Sequence, residues 1–210
     1  MDAVNPEPIA RRPTLRDERA QITRGRIADA ARRLFTRDGY AATTLVGIAR
    51  EAGVAVQTVY AVYGSKAGIL RALREATMDQ PDAEALFAMA MAEPSAPLSL
   101  DLFAHSIRRR WEHSGDVVAI HRDAGTADPE IRAGEADTLA RRRVGILGLA
   151  HVLAPALRPD VDVAEASAIL DALTLAEVYA ELVEVQGWTP DRYETWVAAV
   201  LIEELLVADG

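Results

Sequence analysis

Residues 55–66, Ala-Val-Gln-Thr-Val-Tyr-Ala-Val-Tyr-Gly-Ser-Lys, put an amide, a hydroxyl and a phenol into one short segment. On a two-turn helix over 55–63, Val56, Gln57, Thr58 and Tyr60 form an outward face suited to the edge of a base pair. The Gln57 amide can read adenine bidentately, Thr58 offers a hydroxyl, and the Tyr60 ring can lie on sugar or on a thymine methyl. Thr43 and Thr44, before the preceding apolar stretch, and Lys66, just after Gly64, stand where hydroxyls, an ammonium and helix N-termini favour phosphate oxygens. Val59, Ile48, Ala52 and Val54 read as the packing that fixes the angle between the two helices. That chemistry belongs to DNA binding by a helix-turn-helix, whose second helix enters the major groove.

The elements around this segment follow from caps and periodicity. Ile27, Ala31, Leu34 and Phe35 make one apolar face of a helix over about 14–38 that stops at Gly39. A short helix begins after Thr44 and ends at Gly53, a third covers 55–63, and Ser65 caps a fourth from Lys66 to about Met78. Residues 1–13, with three prolines, read as a flexible tail. Arg11 and Arg12 at its end are either solvated or an arm for phosphate or minor groove. Beyond Pro81 every boundary signal is a helix signal: helices over about 82–92, 97–115 with a stop at Gly115, a short one capped by Asp116, 128–153, 162–187 and 189–207. Asp162 and Glu165 have capping-box spacing, and Thr189-Pro190 opens the last helix. The expected fold is all-α: a tail (1–13), a DNA-binding head (14–65), a connecting helix (66–80) and a helical ligand-binding and dimerisation body (81–210).

Residues 24–74 resemble the DNA-binding domain of the TetR family of bacterial transcriptional repressors. The resemblance is carried by Ile27-Ala28-Asp29-Ala30-Ala31, Leu34-Phe35, Gly39-Tyr40, Thr43-Thr44, Ile48-Ala49, Ala52-Gly53-Val54, Thr58-Val59-Tyr60, Tyr63, Ser65-Lys66 and Leu70. It implies that Thr44, Tyr60 and Lys66 touch phosphates and that Val56, Gln57 and Thr58 face bases. Two positions depart from the pattern: Val62 replaces a frequent phosphate-gripping histidine, and Ala55 replaces a frequent capping serine.

The last helix carries Tyr193, Trp196, Val197, Val200, Leu201, Ile202, Leu205 and Leu206 around most of its circumference, so it needs cover on two sides. A second copy about a two-fold axis supplies that cover most simply, with Ile169, Leu173 and Ala176 on the matching helix; a monomer that buries its last helix is the alternative. The resemblance further implies a small-molecule inducer pocket in the body. Phe87, Phe103, His105, Trp111, His121, His151 and Tyr179 are groups that could line it. For each of them core packing or a satisfied helix surface is the simpler account. The basic triplets 108–110 and 141–143 read as solvated or salt-bridged faces, with an anionic ligand as the other reading.

Composition first points away from DNA: the 210 residues carry a formal charge of −9. Residues 1–75 nevertheless hold 13 Lys plus Arg against 8 Asp plus Glu, leaving 10 against 24 for the rest, a basic head on an acidic body. With no cysteine there is no disulfide, thiolate metal site or cysteine nucleophile. The eight-residue spacing of His105, His113 and His121 is poor for a metal. No nucleophile–base set, phosphate-binding glycine loop or HExxH motif appears, so neither catalysis nor a cofactor is expected. No apolar run reaches the ~18 residues of a membrane span, and the expected location is the cytoplasm. The function expected is a ligand-responsive dimeric repressor of a near-palindromic operator; the alternative is a small-molecule-binding or scaffolding protein with weakened DNA affinity.

Overall fold

A computed structural model describes residues 14–78 and 80–207. The expected tail, with Arg11 and Arg12, lies outside the described residues. These form α1 (Leu15–Asp38), α2 (Leu45–Ala52), α3 (Val56–Tyr63), α4 (Lys66–Met78), α5 (Pro81–Ala92), α6 (Ala96–Ala127), α7 (Pro129–Leu153), α8 (Val163–Leu173), α9 (Ala176–Ala180) and α10 (Pro190–Leu205). Among the described residues there is no strand, only an isolated bridge between Leu157 and Leu206.

Local chemistry sets most boundaries. Thr14 and Asp17 form a reciprocal capping box on α1, which ends at Gly39 with φ 81°. Thr44 accepts from the Gly47 N–H to cap α2, and Gly53, left-handed at φ 64°, ends it. Asp162 accepts from Glu165 N–H at α8, and Thr189 accepts from Arg192 N–H at α10.

Two boundaries differ from the sequence expectation. Gly115 does not stop α6, which runs 32 residues, about 48 Å, as one helix. Asp116, expected to cap a new helix, instead pairs bidentately with Arg32 of α1 through contacts of 2.6 and 2.5 Å. Beyond it Val117, Ile120 and Ala124 are buried against the head, so the helix gains apolar contact by continuing. The segment 162–187 is not one helix either. It breaks at buried Thr174, whose carbonyl accepts from Trp111 Nε1 at 3.1 Å and from Arg142 at 2.9 Å. A π-helical turn over Glu181–Val185 follows α9.

The core falls into two clusters joined by α6. The head cluster gathers Ile27, Ala31, Leu34, Phe35, Ile48, Val59, Ile69 and Leu70 with Val117, Ile120 and Ala124 of α6 and Ile131 of α7. The body cluster packs Phe103, Ile107 and Trp111 of α6 against α7, α8 and α10. Because α6 supplies both, the head is seated on the body by burial as well as by the Arg32–Asp116 pair.

Candidate nucleic-acid interface

The axes of α2 and α3 bend by 107° across residues 53–55, inside the ~90–120° of a helix-turn-helix. Val59 is 1% exposed and packs with Ile48, Ala49 and Ala52, holding α3 to α2. Arg26 of α1 donates to the Ala52 carbonyl at 2.6 Å, placing a cation on the C-terminal end of α2. The only heavy atom near a Cβ at position 53 is the mobile end of Arg26, at 2.8 Å, so it is the positive φ that calls for glycine at this turn. At the other end of α3 the Tyr63 hydroxyl donates to the Arg24 carbonyl at 2.9 Å, and the Arg24 guanidinium lies over its ring.

With α3 fixed at both ends, Gln57 and Tyr60 are exposed, Tyr60 by 55%. Thr58 is half-buried on the same helix. Val56 is also half-buried and packs on the head core, so its methyls are shared between core and surface. Ala55 offers no side-chain cap to α3. On α2, Thr44 is exposed at the N-terminus, where its hydroxyl and the free first-turn N–H groups suit an anion. Val46 stands beside it, 68% exposed, an apolar surface residue that the sequence pattern did not single out.

Two residues have different surroundings from those expected. Thr43 is 5% exposed and its hydroxyl donates to the Gly39 carbonyl at 2.9 Å, so it is a turn residue inside the head. Lys66 directs its ammonium at the carbonyls of Tyr40 (2.6 Å), Thr43 (2.9 Å) and Ala41 (3.3 Å), 4.3 Å from the Tyr40 ring centroid. Burial lowers its pKa. Lys66 thus staples the α1–α2 loop, which places Thr44, rather than projecting from the head. Only the hydrogen-bond partners, distant in sequence, reveal this.

The seven candidate pocket residues are not brought into one site. Phe87 and Phe103 stack with centroids 6.0 Å apart in the body core, and Trp111 is buried there. Tyr179 meets Tyr193 edge-on at 4.9 Å, and burial pushes its phenol up to about 12. His105 pairs with Glu194 at 2.9 Å on the α6–α10 surface. His151 is exposed and bonds the Leu147 carbonyl of its own helix. His121, buried on α6, lines a cleft under the head. His105, His113 and His121 share one unbroken helix, yet each has its own separate partner.

Of the dimer candidates, Val197 and Leu201 are fully buried within the protomer and Ala176 is 9% exposed, so these three are removed from any intermolecular surface. Ile169, Leu173, Trp196 and Val200 remain half-exposed. Trp196 stacks edge-on with Trp188 at 5.8 Å.

Residues 27–73 match the family model described as bacterial regulatory proteins, tetR family. Over those residues the head is similar to the TetR family. No protein of the curated set matches the chain in sequence. The whole fold is similar to that of solved TetR-type regulators. NalD, the secondary repressor of the MexAB-OprM multidrug efflux pump in Pseudomonas aeruginosa, superposes with a TM-score of 0.69 at 22% identity, covering 90% of this chain and 98% of that one. The ketosteroid regulator KstR2 of Mycobacterium tuberculosis gives 0.68 at 20% identity over 88% and 95%. FadR of Bacillus subtilis, solved with stearoyl-CoA, gives 0.65 at 18% over 85% and 97%. The TetR-like fold thus extends through the body, and among the described residues no single helix is long and apolar enough to cross a membrane.

Proposed function

We propose that this TetR-type chain is a dimeric, ligand-responsive repressor in the cytoplasm, without catalytic activity, that grips a near-palindromic DNA operator with two copies of α3. The observation that carries the reading is the exposed Gln57–Tyr60 face on a helix held rigidly at 107° to α2. The helix itself carries no charge, so it is suited to discriminate between bases, while attraction to the duplex comes from the rest of the basic head. Operator contacts are assigned to Thr44 for phosphate, to Gln57 and Thr58 with the free edge of Val56 for bases, and to Tyr60 for backbone. Thr43 and Lys66 contribute by placing Thr44. The body receives a small-molecule inducer, a reading supported by neighbours of the same fold solved in complex with stearoyl-CoA and with triclosan.

The operator can be selected from a random pool of duplex DNA, which should yield an inverted repeat with half-sites about one helical turn apart. On that sequence Gln57→Ala should weaken binding by about 1–3 kcal/mol while leaving affinity for random DNA unchanged. Fluorescence anisotropy on both duplexes reads the difference, and equal losses on the two would remove Gln57 from base reading.

The dimer is assigned to the half-exposed residues of α8 and α10, with Trp196 at its centre. Burying a carboxylate opposite its own symmetry mate is strongly unfavourable. Trp196→Glu should therefore halve the mass measured by light scattering with the helical circular dichroism retained. A dimer of unchanged mass would exclude this face.

A further inference from the structure

Helix α1 changes character along its length. From Ile27 onward it buries Ile27, Ala30, Ala31, Leu34 and Phe35 in the head core. From Leu15 to Arg26 every residue is exposed except half-buried Thr23, with Leu15 at 75% and Ile22 at 64%. The side-chain hydrogen bonds of Thr14, Asp17 and Thr23 stay within this stretch. Arg24, against Tyr63, and Arg26, on the Ala52 carbonyl, fasten α1 to the helix-turn-helix. Residues Leu15 to Thr23 thus overhang the head by about 13 Å. A helix this short is marginal in water without a packed face, so it gains most from a partner.

Charge identifies the partner. In the packed half of α1, Arg32 pairs with Asp116, Arg33 with Glu51 and Arg37 with Asp38. Among the described residues Arg16 and Arg19 make no ion pair. The charges are also sorted by side. At 3.6 residues per turn, Leu15, Arg16, Arg19, Ile22 and Thr23 fall within one arc of about 120°, with Asp17, Glu18 and Gln21 opposite. Arg26 belongs to the first arc, and its guanidinium meets the end of α2 just before the turn into α3. The cationic side therefore opens toward the helix-turn-helix and the acidic side away from it. A second copy of the chain fits this arc poorly. Leu15 and Ile22 are one heptad apart, but Glu18 and Arg19 occupy the seam positions between them, so no apolar zipper forms. A row of phosphates suits it, because two guanidiniums about one turn apart can each grip phosphate oxygens while the aliphatic side chains cover sugar.

We propose that the overhang from Leu15 to Thr23 is a second DNA-binding element, which lays Arg16 and Arg19 on the phosphate backbone flanking each half-site, outside the base pairs read by α3. An overhang of about 13 Å at ~3.4 Å per base pair extends the footprint by about four base pairs on each side. Its place beside the half-sites rests on the operator-binding reading above; its grip on phosphates is independent of sequence.

The test is fluorescence anisotropy of the full chain on three duplexes: the selected operator with about eight base pairs of random flank on each side, the same operator trimmed to its half-sites, and a random duplex of the longer length. Arg16→Gln combined with Arg19→Gln changes two exposed positions and should retain the helical circular dichroism. The native chain should bind the extended operator about tenfold more tightly than the trimmed one. The double variant should lose that advantage while matching the native chain on the trimmed duplex. With two protomers bound, its log–log salt slope on the extended operator should be shallower by about 3.6, roughly 0.9 for each of four phosphates. Arg37→Gln, which removes the partner of Asp38 at the far end of α1, should behave as the native chain. Equal affinity of the native chain for both operator lengths, or a double-variant loss of the same size on both, overturns the element. A double variant of lower mass by light scattering without DNA also overturns it and gives the overhang to a second copy. Operator selectivity that depends on Gln57, with no flank effect, keeps the α3 reading and removes the overhang. If no operator is selected, yet the double variant binds the random duplex about tenfold more weakly, the overhang stands and the operator reading falls. No binding to any of the duplexes removes both.

Discussion

Arg142→Ala should lower the unfolding free energy by about 3 kcal/mol, read as a shift of the urea midpoint with little change in slope. The side chain is 17% exposed and burial pushes its pKa down to about 10, so the charge is held at a cost that its partners must offset. Those partners are the Asp171 carboxylate and, at the break between α8 and α9, the Thr174 carbonyl at 2.9 Å and hydroxyl at 2.7 Å. Alanine leaves Asp171 under-compensated and strips one of two donors from a buried carbonyl. Arg143 already touches Asp171 at 3.4 Å and absorbs part of the loss, which keeps the expected effect at the lower end for a broken buried pair. Arg142→Met combined with Asp171→Ala should recover a good part of it, because no unpaired charge is then left. A loss under 1 kcal/mol for the single variant would mean that Trp111 alone holds the break. The break also bears on the proposed dimer, since it lies between Ile169 and Leu173 on one side and the segment packed on α10 on the other.

That break also shows what could be read in the sequence. Helices α1 to α4 were legible because their ends are decided within a few residues: Thr14 with Asp17, Thr44 with Gly47, Gly53, Gly64. The faces of α3 were legible for the same reason, because a 3.6-residue period that buries Val59 necessarily exposes Gln57 and Tyr60. Where the deciding partner is distant, the pattern misleads. Gly115 resembles a stop until Asp116 is seen on Arg32, 84 residues away. Residues 162–187 resemble one helix until Trp111 and Arg142 capture the Thr174 carbonyl. Thr43 and Lys66 have the types and places of phosphate ligands, yet carbonyls across the loop claim both. The scatter of the pocket candidates has a further reason. Aromatic and histidine content says which side chains are large and polarisable, and nothing about which helices meet.

The junction between α3 and α4 depends on a glycine in an unusual way, and this gives an expectation of opposite sign to the ordinary one. Inside a helix, glycine to alanine usually stabilises by about 0.5–1 kcal/mol, because it restricts the unfolded chain. Gly115→Ala in α6 should behave so, since a Cβ there meets nothing within 4 Å. Gly68→Ala in α4 should instead destabilise by about 2–3 kcal/mol. Its Cβ would stand 2.1 Å from the Tyr63 carbonyl oxygen and 3.2 Å from the carbonyl carbon, and both are backbone atoms that no rotamer change can move away. The clash can be relieved only by pulling the C-terminus of α3 away from α4. That movement strains the Gly64 turn and the Ser65 cap, whose hydroxyl accepts from the Gly68 N–H at 2.9 Å. It also tilts the face that carries Gln57 and Tyr60, so the proposed operator affinity should fall more than the affinity for random DNA. Thermal melts of the two alanine variants against the native chain test the sign directly. If Gly68→Ala melts as high as Gly115→Ala, the close approach of α4 to the end of α3 does not set the angle of α3.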